Sequence, residues 1–301
     1  MLLKDLTAEY IFNCKCRRLS PKTIRNYNLI LHLFLDYLEQ DLKVTSLEEL
    51  TTYHIKSFIR RKDGEGKKPN YLNDILKVCK NFCKYLYEEQ YTKSILTEKI
   101  KDVKKPKTII KTFTDKQVSE MIKCYTGYDY LSMRNKLMLF IFFDTGIRLN
   151  ELITLQIDQI KDDYIIIYGK GDKERVVPKS PFLSKWLFKY MTVRERCFDN
   201  RITSNCLFLS KNGKMLTSEA VERVVKKAGE FAMVNSEIRV SPHTCRHTFA
   251  QMQLKNGLDV YSLSRIMGHE NISITQQYLL GLKDKEVIKA GMKTSPLMNL
   301  R

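Results

Sequence analysis

The sequence predicts a mainly α-helical protein of two domains that carries one small β-sheet. Three observations lead there. Apolar residues recur at three- and four-residue spacing through most of the first hundred positions, a lysine-rich stretch broken by Pro106 then interrupts the pattern, and β-branched and aromatic residues cluster in short runs near residues 164–178. At 301 residues the chain is long enough for about two domains, each with its own core.

In Ser20-Pro21-Lys22-Thr23 a cap residue precedes proline at the first helical position, and Ile24, Tyr27, Leu31, Phe34, Leu35 and Leu38 then form one amphipathic face. Leu6 to Cys16 supplies a preceding helix. Ser46 with Glu49 reads as a capping box before a helix over Leu47–Arg61, and Asp63-Gly64-Glu65-Gly66 ends it ahead of a long helical pattern from Asn70 to Glu89. Together these make a small bundle with Lys/Arg-rich outer faces. Periodicity fades between Thr92 and Lys111, the best domain boundary, and the basic run there either tracks a phosphate backbone or is a solvated tether. Thr114 and Gln117 form a second capping box where helical patterns resume, through Phe143. Tyr164–Tyr168 and Arg175–Pro178 read as a β-hairpin with a basic tip, and Cys206–Leu209 as a further strand. Helical patterns follow at 218–232, 243–256, 259–267 and 273–281.

Composition narrows the function classes. Lys and Arg number 52 against 34 Asp and Glu, a formal charge of +18, so a polyanion is the default partner, and the density is higher before residue 111. The longest apolar run, Leu137 to Phe143, is far short of the roughly 20 residues that cross a bilayer, so no membrane partner is expected. Acidic residues follow Met1 closely and no apolar export segment is visible, which predicts a cytoplasmic location. Cys14, Cys16, Cys79, Cys83, Cys124, Cys197, Cys206 and Cys245 are scattered without a Cys-x-x-Cys pair, which favours reduced thiols over disulfides or zinc.

Three short segments carry chemistry. Arg148 follows the Gly146 break, with Glu151 three residues on; alone, this is an ordinary intrahelical ion pair. In Ser241-Pro242-His243-Thr244-Cys245-Arg246, a capped helix start brings His243 and Arg246 onto one face, an arrangement that suits a phosphate. Gly268-His269 ends another helix, and Tyr278 lies within the next, where most tyrosines simply pack.

In combination and order these segments say more. Arg148-x-x-Glu151, the lysine of Gly169-Lys170-Gly171-Asp172-Lys173-x-Arg175, His243-x-x-Arg246, Gly268-His269 and Tyr278 together resemble the tyrosine recombinase (phage integrase) family, its simple Xer-like type without an arm-binding domain. The resemblance implies a helical, SAM-like core-binding domain over 1–100, a basic linker over 101–111, a mixed α/β catalytic domain over 112–282 and a tail, 283–301, that packs into a neighbouring protomer. It implies that Arg148 and Arg246 clamp the non-bridging phosphate oxygens, that Tyr278 attacks phosphorus to give a 3′-phosphotyrosyl intermediate, and that His243 and His269 donate hydrogen bonds or assist proton transfer. Glu151 would hold Arg148 or a histidine in place. Lys170 is the general acid in this scheme, with Lys173 its local competitor.

Lys101, Lys104, Lys105, Lys107, Lys173 and Arg175 are the candidate DNA contacts. No metal or other cofactor is called for, because two guanidiniums and an ammonium already supply the charge. The implied partners are double-stranded DNA bearing recombination sites, a homotetramer in the synaptic complex that passes through a Holliday junction, and an accessory DNA-bending protein or partner recombinase. The resulting tasks are integration and excision of a mobile element, inversion, or dimer resolution. A type IB topoisomerase-like relaxing enzyme and a non-catalytic DNA-binding accessory protein are the alternatives.

Overall fold

The computed structural model describes residues 1–106, 110–169, 174–199, 201, 203–281 and 292. The chain divides into two compact units, Met1–Lys107 and Thr108–Arg301.

The first unit packs four helices: α1 (Leu3–Cys16), α2 (Pro21–Leu42), α3 (Thr52–Gly64) and α4 (Pro69–Glu88). Leu6, Tyr10 and Cys14 of α1 meet Leu31, Phe34 and Leu38 of α2, Phe58 of α3 and Leu76, Cys79 and Phe82 of α4 in one buried core. The Ser20 hydroxyl caps α2 by accepting from the Thr23 amide at 3.2 Å.

One expected boundary moves. Glu49 does accept from the Thr45 and Ser46 amides, but residues 47–49 form a turn instead of starting a helix. Helix α3 begins at Thr52, its start marked by the Thr51 amide donating to His54 Nδ1 at 3.2 Å. Beyond α4 the chain is anchored at Val103, whose amide and carbonyl both bond the Asn73 side chain, at 2.8 and 2.9 Å. Lys101, Lys104 and Lys105 stand exposed around that anchor; Lys107 lies outside the described residues.

The second unit is built on α6 (Tyr130–Thr145), whose Leu137, Met138, Leu139, Ile141 and Phe142 are fully buried. Around it lie α5 (Asp115–Lys123), α7 (Leu149–Thr154), the strands β1 (Tyr164–Tyr168) and β2 (Glu174–Pro178), α8 (Pro181–Cys197), α9 (Ser218–Phe231), α10 (Pro242–Lys255), α11 (Val260–Met267) and α12 (Ile272–Gln276), which runs into a 3-10 turn at Gln277–Gly281. Thr114 and Gln117 do form the capping box of α5. The strands pair antiparallel with Ile165 opposite Val177 and Ile167 opposite Arg175, so Ile165, Ile167 and Val177 face the core. The hairpin tip, with Lys170 and Lys173, lies outside the described residues.

Cys206–Leu209 is not a strand. Gln156 and Met215 bridge Cys206 and Leu209 singly, the Leu207 amide donates to the Leu155 carbonyl, and side chains reach the carbonyls: Arg134 and Tyr130 donate to that of Leu209, while Arg194 and Tyr190 donate to that of Leu207. A buried peptide must be hydrogen-bonded, but a neighbouring strand is one solution among several. Helix α8 was not anticipated, although Ser180-Pro181 repeats the cap of Ser20-Pro21 and Ser241-Pro242, and the Ser180 hydroxyl accepts from the Leu183 amide at 3.1 Å.

Candidate active site

Helix α6 ends at Gly146, whose φ of +60° is a left-handed conformation and whose missing Cβ leaves room for the Phe249 ring, into which an added carbon would run. This close turn delivers Arg148 to the start of α7. There its amide donates to Glu151 Oε2 at 2.7 Å, its Nη1 donates to Glu151 Oε1 at 2.9 Å, and its Nη2 donates to the Gly268 carbonyl at 3.0 Å. The side chain remains 43% exposed.

Glu151 is shared. Arg175 of β2 grips both its oxygens, Nη1 to Oε1 at 2.8 Å and Nη2 to Oε2 at 2.6 Å, while Arg175 Nε donates to the Ile266 carbonyl at 2.9 Å. Burial alone would raise the pKa of this carboxyl, but the bonds from Arg175 and Arg148 outweigh it and hold the value at about 2. Arg175 was expected among the DNA contacts. With 11% of its side chain exposed and every guanidinium nitrogen engaged, it braces the hairpin against α7 and α11. Gly268, at φ +63°, leaves space for it; a Cβ there would meet Arg175 Cδ at 2.7 Å.

Helix α10 starts with Ser241 accepting from the Thr244 amide and Pro242 in its first turn. His243 stands exposed, whereas Arg246, one turn on, is 3% exposed. Arg246 Nη1 donates to the Gly146 carbonyl at 2.8 Å, and its Nη2 donates to the Met267 carbonyl at 2.7 Å and to His269 Nε2 at 3.0 Å. A guanidinium has no acceptor, so His269 Nε2 is the unprotonated nitrogen and its Nδ1 donates to Thr275 Oγ1 at 2.8 Å. Burial and then the charges of Arg246, Arg148 and Arg175 press the His269 pKa to about 4. Partial desolvation of its ring, with the charges of Arg246 and Arg148 next, lowers that of His243 as well.

Tyr278 sits in the 3-10 turn after α12, 3% exposed among Phe249, Leu254, Leu263 and Met267. Its hydroxyl bonds His247 Nδ1 at 2.8 Å. Burial raises the phenol pKa, against the lowering fields of Arg246 and Arg148. His247, which sequence reasoning passed over, is held neutral by burial and by His243 and Arg246, its pKa about 4. Its ring packs edge-on against His243 at 4.5 Å, the i,i+4 spacing on α10 that could have flagged it.

The structure therefore gathers Arg148, Glu151, Arg246 and His269, adds Arg175, and connects Tyr278 to α10 through His247. Three guanidiniums face one carboxylate with the imidazoles neutral, so the centre is positively charged and suited to an anion of phosphate size. Lys170 and Lys173, and the tail beyond Gly281 apart from Met292, lie outside the described residues.

The fold and this centre define a known class. Residues 111–283 match the phage integrase family and residues 9–90 its N-terminal SAM-like domain. The chain belongs to the phage integrase family. It is 28% identical over 270 residues to tyrosine recombinase XerD of Haemophilus influenzae, covering 89% of this chain and 90% of that protein. It is also 28% identical over 293 residues to XerD of Listeria monocytogenes, covering 95% and 98%. Its fold resembles the XerH recombinase bound to a palindromic difH substrate in a post-cleavage complex, with TM-score 0.76, 21% identity, and 92% and 81% of the two chains covered. A lambda integrase tetramer bound to a Holliday junction matches with TM-score 0.71 and 16% identity over 92% and 77%.

Among the described residues no helix is long and apolar enough to cross a membrane.

Proposed function

We propose that this protein is a site-specific tyrosine recombinase, which cleaves and rejoins DNA through a 3′-phosphotyrosyl intermediate. The observation that carries this reading is Tyr278: a phenol seated by a hydrogen bond, within the fields of Arg246 and Arg148, beside a centre that wants an anion. In the cleavage step the two arginines stabilise charge building on the non-bridging oxygens, and a preorganised donor of this kind is worth roughly 3–4 kcal/mol. Glu151 and Arg175 position Arg148. Lys170, from the hairpin tip, protonates the departing 5′-oxygen. Because the phosphotyrosyl ester conserves the energy of the broken bond, a 5′-hydroxyl from another strand reverses the step without a nucleotide cofactor.

Exposed Lys101, Lys104 and Lys105 support a DNA path along the end of the first unit. Double-stranded DNA with paired recombination sites is the partner, and the working assembly is a homotetramer on that DNA, joined where the task demands by an accessory or partner recombinase.

The test uses a nicked duplex that traps the intermediate. Wild type is expected to form an SDS-resistant adduct at a 3′-phosphate and Tyr278→Phe to form none. An adduct that persists in the phenylalanine variant would take Tyr278 out of this role.

A further inference from the structure

We propose that the outward face of α8, with Lys136 of α6 beside it, is a docking surface for a second protein, which lays an acidic segment bearing apolar side chains across it. The surface lies outside the candidate active site and stands whether or not Tyr278 is the nucleophile.

The helical repeat builds the face. Phe182, Lys185, Trp186 and Lys189 follow one another at spacings of three, one and three residues, which puts them on one side of α8, while Leu183, Leu187 and Tyr190 turn into the core. Phe182 is 53% exposed and Phe188, one turn on from Lys185, 77%. Phe182 and Trp186 are held in place. Buried Phe140 of α6 meets Phe182 edge-on at 5.0 Å and Trp186 at 5.2 Å, so this aromatic surface is set before any partner arrives.

Charge decides what fits on it. Lys136 and Lys189 bring their ammoniums to 4.7 and 5.0 Å from the centre of the same indole ring. Among the described residues Lys136, Lys185 and Lys189 have no carboxylate partner, whereas Lys62, Lys80, Lys111 and Lys123 each have one. Partial burial and then the charge of Lys189 lower the Lys136 pKa, so the two cations share the ring against a repulsion that a carboxylate beside them would relieve. Aromatic anchors among unpaired cations match a segment that carries both apolar and acidic side chains.

Other occupants fit less well. A DNA duplex supplies phosphates but no apolar side chains to cover the exposed phenyl rings, and an unpaired base needs an open ring where Trp186 already carries ammoniums. Residues 283–301 of a second copy hold five basic groups against two acidic, the wrong sign for this face.

Trp186 is the only tryptophan in the sequence, so its emission reports on the surface directly. The experiment titrates the full-length protein with a synthetic helical peptide that presents Leu and Glu on one side, with its Gln-for-Glu counterpart, and with a single-stranded oligonucleotide. The Glu peptide is expected to bind at least about tenfold more tightly than the Gln peptide. Lys136→Gln combined with Lys189→Gln is expected to weaken it at least about tenfold, and Phe182→Ser by a similar factor, with thermal midpoint and cleavage of the trapping duplex close to wild type. Lys211→Gln combined with Lys214→Gln removes the same charge from another exposed site and is expected to leave the peptide affinity unchanged, which separates docking from the general attraction of a basic chain. Equal binding of the two peptides, an affinity insensitive to the Lys136 and Lys189 pair, or equal weakening by the Lys211 and Lys214 pair would each overturn the assignment. So would tighter binding of the oligonucleotide at this face, which would make it a nucleic-acid surface, or a concentration-dependent dimer abolished by Phe182→Ser, which would make it a contact between copies.

Discussion

Glu151 and Arg175 form a two-pronged clasp, each carboxylate oxygen accepting from one guanidinium nitrogen at 2.8 and 2.6 Å, across 24 residues of sequence. The clasp ties the short helix that begins beside Arg148 to the second hairpin strand. Removing one member leaves the other charged and enclosed. Glu151→Gln is therefore expected to lower stability by about 3 kcal/mol, read as a shift in urea midpoint at unchanged slope. Cleavage is expected to fall further than DNA affinity, since Arg148 loses its anchor.

Acid sensitivity follows from the same centre. His247 and His269 have pKa values of about 4 in the folded protein, below the ordinary 6.5, so their share of stability is complete above pH 6.5 and is lost as pH falls toward 4. Glu151, at about 2 against an ordinary 4.5, contributes above pH 4.5 and fades as pH approaches 2. Urea midpoints measured from pH 8 to pH 2 are expected to decline over both windows. Exchanging both histidines for Asn is expected to flatten the upper window, and Glu151→Gln the lower; a wild-type midpoint level between pH 6.5 and 4 would contradict the first.

Gly146→Ala places a side chain on a left-handed backbone and drives it into the Phe249 ring. The backbone conformation alone costs about 1–2 kcal/mol, and displacement of Phe249 adds to it. The variant is expected to melt several degrees lower in calorimetry. Because Arg246 holds the Gly146 carbonyl, cleavage is expected to suffer while the first unit's DNA contacts persist.

Arg148→Ala is expected to bind the trapping duplex within a few-fold of wild type and to cleave it about 10²–10³ times more slowly, the signature of a contact strengthened in the transition state. Equal losses of binding and cleavage would make Arg148 a simple phosphate ligand.

Changing Lys101, Lys104 and Lys105 together to Gln is expected to flatten the dependence of log affinity on log salt by about 2 to 3, from roughly 0.9 per phosphate contact. Fluorescence anisotropy between 50 and 300 mM salt, on the order of the usual range for such titrations, reads this directly.

Much of this was legible because the signals are local. Ser20-Pro21, Thr114 with Gln117, and the β-branched run at Tyr164–Tyr168 each encode their own geometry within a few residues, and the structure follows them. Where partners came from afar, the reading failed. Cys206–Leu209 resembles a strand, but its carbonyls are taken by Tyr130, Arg134, Tyr190 and Arg194 from other helices. Arg175 looks like a surface base until Glu151 is placed beside it. His247 gave a local hint through His243 four residues earlier, yet its meaning depends on Tyr278, 31 residues on. The Ser180-Pro181 cap of α8 was as readable as the other two.

The oily seat of Tyr278 has a consequence for fidelity. Phe249, Leu254, Leu263 and Met267 share one buried cluster with the tyrosine that becomes esterified, and apolar walls keep away the solvent molecules that would hydrolyse a phosphoester. A chromosome opened at this site would thus wait, chemically live, for a returning strand end instead of decaying into a permanent break.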